Sequence, residues 1–102
     1  MLKIIKVAGN SLSPFFLSGD YVLVSTYRQS FKRLQIGDSV IFNHPKFGRL
    51  IKLIRTNNPV SKILEVRGSD PDSISSQTLG PIPYSTLIGK VIFHFKQPRI
   101  SN

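Results

Sequence analysis

The chain has 102 residues, a formal net charge of +9 and no cysteine; that allows one domain and excludes a disulfide framework, a thiolate metal site and a cysteine nucleophile. Hydrophobic residues make up 40%, enough for a packed core, and the two histidines, His44 and His94, are too few for a histidine-rich zinc site. No stretch reaches the ~18–20 continuous apolar residues that cross a bilayer as a helix.

The first predicted strand is Lys3–Val7. Its apolar run is broken by Lys6 and leads into a glycine turn, so it does not read as a secretory signal. A small polar segment follows, Gly9-Asn10-Ser11-Leu12-Ser13-Pro14, and then Phe15, Phe16 and Leu17. The two phenylalanines suit a core, or a lip that touches lipid or substrate; the core is the commoner fate. Gly19-Asp20 feeds the strand Tyr21–Ser25, and Gly37-Asp38 feeds Ser39–Asn43. Turn chemistry explains both Gly-Asp pairs, so neither aspartate is nominated for catalysis. His44-Pro45 reads as a turn, and Leu50–Thr56 as a strand closed by Asn57-Asn58-Pro59. After the strand Ile63–Arg67 comes a hydroxyl-rich loop from Arg67 to Pro81, long enough in a compact domain to suggest function or mobility. The last strand is Ile88–Lys96, and 97–102 reads as a frayed tail. Alternation sets His94 with Ile92 and Lys96, opposite Val91, Phe93 and Phe95, as a surface residue on an edge strand. Short strands between Gly, Pro, Asn, Asp and Ser clusters predict a mostly β fold. The expected architecture is a small coiled antiparallel sheet or a partly closed barrel, one domain over residues 1–102.

The chemistry rests on a serine and a lysine. In Arg49-Leu50-Ile51-Lys52-Leu53-Ile54-Arg55, Leu50, Lys52 and Ile54 share one face. An ammonium between two branched aliphatics is desolvated, which disfavours its charged form. A neutral amine near pH 7–8 can serve as general base. The bland alternative is that Lys52 snorkels to the sheet edge. Ser11 alone would be a turn serine bonded to nearby backbone. Together they are the best nucleophile–base pair that this composition offers, since a serine hydroxyl needs a base to become a nucleophile.

At this point the residues resemble a known family. Val7-Ala8-Gly9-Asn10-Ser11-Leu12-Ser13-Pro14, followed by Ser18-Gly19-Asp20-Tyr21-Val22-Leu23-Val24, looks like the serine block of signal peptidase I. Ile36 to Phe42 resembles the next block, Leu50-Ile51-Lys52-Leu53-Ile54 the lysine block, and Gly68 to Pro83 the last. The blocks stand in family order across residues 7 to 91. The resemblance implies that Ser11 is the nucleophile and Lys52 its base, with Gly9 and Asn10 beside the oxyanion and Ser73 supporting the amine. It also implies the signal-peptidase or repressor-protease fold and no cofactor or metal. Among family members, the short ones without an anchor are most similar, those that mature nickel-type superoxide dismutase. Leu12 stands where methionine is usual. Ser73-Ile74-Ser75-Ser76-Gln77 carries neutral residues at Ser75 and Gln77, where the family has an aspartate and an arginine. Removal of both members of an ion pair is far milder than removal of one.

The expected partner is a precursor protein lying extended along a strand edge, with Lys3–Val7 and the neighbourhood of Ser39–Asn43 as candidate edges. The scattered positive charge suits an anionic membrane surface. It contains no arginine-rich block, which weighs against nucleic acid. The expected location is cytoplasmic or peripheral at a membrane. Two rivals share the fold: a non-catalytic basic binding module, and a self-cleaving repressor-type domain. The second would need a cleavable segment, and only eight residues precede Gly9.

Overall fold

The computed structural model describes residues 1–7, 19–67 and 79–95. Seven strands form one antiparallel sheet: β1 (Leu2–Lys6), β2 (Tyr21–Ser25), β3 (Ser39–His44), β4 (Gly48–Asn58), β5 (Ile63–Arg67), β6 (Ile82–Pro83) and β7 (Leu87–Phe95). Their order is β1-β2-β7-β3-β4-β5-β6. The mostly β, antiparallel expectation holds. Of its two forms the open sheet is the right one, because β1 and β6 remain as edges. β6 has two residues, one of them Pro83, which lacks the N–H that a further strand would need.

β7 joins two halves. Its start, Leu87 to Lys90, pairs with β3, and Lys90 to Phe95 pairs with β2. Gly89 lies at the crossover. A Cβ there would fall on the Ser25 carbonyl oxygen and within 2.6 Å of Val24 Cγ1, so only glycine allows β2 this close. Register shifts at Leu23/Val24, Ile41/Phe42 and Ile54/Thr56 increase the local twist and coil the sheet.

The coiling yields two cores on opposite faces of β3 and β4. Val40, Phe42, Leu50 and Ile54 pack with Leu64, Val66, Ile82 and the short 3₁₀ turn carrying Phe31 and Leu34. Ile41 and Ile51 face the other way, against Ile5, Val7, Val22 and Val24. β3 is therefore apolar on both faces, which explains its unbroken Val-Ile-Phe run. Each such side chain contributes roughly 1.5–3 kcal/mol when fully buried.

Two expectations about edges fail. Ser39–Asn43 is interior, between β7 and β4, and β7 itself lies between β2 and β3. Periodicity assigns strands but does not order them, because order depends on contacts far apart in sequence. Arg28–Arg33 is a 3₁₀ turn too short to show a helical period. Among the described residues, no helix is long and apolar enough to cross a membrane.

Candidate active site

β4 fixes the position of Lys52. The pairing Val40↔Lys52 sits between Ile41↔Ile51 and Ser39↔Leu53. A one-residue slip would turn Ile51 out of its core, so the register is tightly specified. Lys52 therefore faces the first core together with Leu50 and Ile54, and it is 1% exposed. The snorkelling alternative fails. Desolvation by burial holds its amine below the ordinary lysine range. β5 runs beside β4 only from Leu53 to Asn58, so Lys52 sits just where that neighbour ends.

Ser11, Gly9, Asn10 and Ser73 lie outside the described residues, as do Phe15 and Phe16. The ends of their segments are described. The Val7 N–H donates to the Asp20 carbonyl at 2.7 Å, and the Gly19 N–H donates to the Val7 carbonyl at 2.9 Å. Val7 is thus hydrogen-bonded to both Gly19 and Asp20. Val7 belongs to the same apolar cluster as Ile51, the residue before Lys52.

Sequence reasoning misjudged His94, which meets Asp20. Asp20 is 1% exposed, and its Oδ2 lies 2.8 Å from His94 Nε2. His94 is half-buried on an interior strand, not a surface residue on an edge. The alternation argument failed because the pairing skips Ile92: Leu23 matches Phe93, and Val24 matches Val91. Val91 then packs on the second core while Phe93 is exposed. Asp38, in the other Gly-Asp turn, behaves as turn chemistry predicts: its Oδ2 accepts the Gln35 N–H at 2.9 Å and lies 3.6 Å from Lys90 Nζ.

Leu79, the first described residue after 67, is buried. His44 binds it. Its Nδ1 accepts the N–H groups of Lys46 and Phe47 at 3.1 and 3.3 Å, so the proton is assigned to Nε2, which donates to the Leu79 carbonyl at 3.0 Å. His44, expected in the turn, is instead the last residue of β3, paired with Gly48, and its ring binds the turn that follows.

Among the described residues, no three His, Asp or Glu side chains gather as a metal site. A cavity of about 200 Å³ is lined by Arg28, Gln29, Phe31, Lys32, Lys62 and Tyr84, and Lys52 is not part of it. No family model matches the chain, and no curated protein is significantly similar to it.

Proposed function

We propose that the chain is a serine-type endopeptidase in which neutral Lys52 is the general base for Ser11. Lys52 takes the Ser11 hydroxyl proton, and the oxygen attacks the scissile carbonyl. Backbone N–H groups near Gly9, Asn10 and Ser11 hold the oxyanion. The protonated Lys52 gives its proton to the leaving amine as the peptide bond breaks. Water then enters, loses a proton to Lys52 and releases the acyl group from Ser11, which regains its proton. Ser73 supports the amine. The substrate is an N-terminal segment of a precursor laid along β1, with small residues before the cut. A nickel superoxide dismutase precursor is the candidate that the resemblance implies.

The burial of Lys52 carries this reading. Lys52 shares a buried face with Val40, Leu50 and Ile54, and desolvation there favours the neutral amine, the form that a general base needs. The test is incubation with a candidate precursor and mass determination of the new N-terminus, for the wild type and for Ser11→Ala and Lys52→Met. Cleavage lost in both variants supports the dyad. Cleavage retained in either rejects it.

A further inference from the structure

Cross-strand partners in an antiparallel pair point to the same side of the sheet. The registers of β1, β2 and β7 therefore draw three rows across one face: Leu2–Ser25–Lys90, Ile4–Leu23–Phe93 and Lys6–Tyr21–Phe95. The opposite face carries Ile5, Val22 and Val24 into the second core. On the outer face, Leu2 is 58% exposed, Ile4 62%, Phe93 56%, Phe95 45% and Tyr21 39%. The Phe93 and Phe95 rings lie 4.7 Å apart, tilted by 46°. Single exposed aliphatics need no explanation, but a contiguous apolar face marks an interaction surface.

The charge around this face selects its partner. The three rows contain no acidic residue, and Lys6 and Lys90 occupy opposite corners; Lys90 reaches Asp38 at 3.6 Å. The whole chain carries +9, so pairing two copies through this face would set like charges together. An anionic bilayer has the opposite sign and needs no shape match. Tyr21, with an apolar ring and a phenol, is the residue type that settles at a membrane–water boundary.

We propose that this face docks on an anionic lipid surface. Leu2, Ile4, Phe93 and Phe95 enter the headgroup–acyl boundary, while Lys6 and the general positive charge meet the headgroups. The proposal does not rest on the peptidase reading, since it uses outward side chains of β1, β2 and β7 and neither Ser11 nor Lys52.

The test is co-sedimentation of the full chain with phosphatidylcholine vesicles, with and without phosphatidylglycerol. Wild type binds the phosphatidylglycerol vesicles. Phe93→Ser/Phe95→Ser, with unchanged circular dichroism, binds at least about tenfold more weakly, and Phe93→Leu/Phe95→Leu keeps most of the binding. Ile4→Ser, on the edge strand, gives a second reading should the double variant not fold. Lys6→Gln weakens binding at low salt and has little effect at high salt. Lys52→Met binds like wild type, which separates this surface from the peptidase reading. No binding by wild type, or equal binding by the folded serine variants, overturns the proposal. So does a wild-type dimer that the serine variants dissolve without any vesicle binding, because the occupant is then a second copy.

Discussion

The two halves of the sheet break the inside–outside rule in opposite directions. In the β3–β4–β5 half, a lysine is enclosed among Val40, Leu50 and Ile54. In the β1–β2–β7 half, Phe93, Phe95, Ile4 and Leu2 face outward. Both depart from the usual partition, in which ionisable groups stay outside and large apolar side chains go inside. Sites that break local rules are where function is expected. One half then reads as chemistry and the other as attachment.

The largest expected effect breaks the first half alone. Lys52→Met should lower cleavage by roughly 10²–10⁴-fold, the range for removing a general base, in an assay of the precursor's new N-terminus. Methionine is the right replacement because full burial means that alanine would leave a cavity; the alanine variant should therefore unfold more easily, contrary to what an exposed lysine would predict. Wild-type stability should also depend on pH through this amine. The sign follows from the lowered amine. Between the folded value and the ordinary ~10.4, the unfolded chain binds the extra proton, so wild-type stability rises with pH across that window and falls again as pH drops. Denaturant melts across alkaline pH should show that rise in wild type and not in Lys52→Met.

Next comes the joint between the halves. Gly89→Ala should destabilise by about 1–3 kcal/mol, the usual penalty for overpacking, because the new methyl meets the Ser25 carbonyl. Thermal unfolding measures it, and an unchanged midpoint would show that β2 can move away from β7. The two Gly-Asp turns sharpen the comparison further. Asp20→Ala removes a buried partner of His94 and should cost roughly 1.5–3 kcal/mol. Asp38→Ala removes a half-exposed pair and a single N–H acceptor, and should cost about 1 kcal/mol or less. Equal losses in urea melts would erase the difference between these turns.

Much of this was legible in the sequence, for local reasons. The turns at Gly19-Asp20 and Gly37-Asp38 place glycines at φ 95° and 93°, where β-carbons are disfavoured, and the strands that follow begin where turn chemistry puts them. Alternation placed Lys52 on the face of Leu50 and Ile54. Strand order was not legible, because it rests on pairings such as Ile41↔Gly89. The Asp20–His94 contact spans 74 positions and lies beyond a bulge that shifts the alternation after Val91. The outward turn of Phe93 and Phe95 was hidden by the same bulge.

The central claim is that the Lys52 amine sheds its charge readily inside the protein. A ¹⁵N or ¹³C NMR titration of the Lys52 terminal group, in the intact chain, measures this without any substrate. The account predicts a midpoint well below the ~10.4 of a free lysine side chain. A midpoint at or above that value contradicts it.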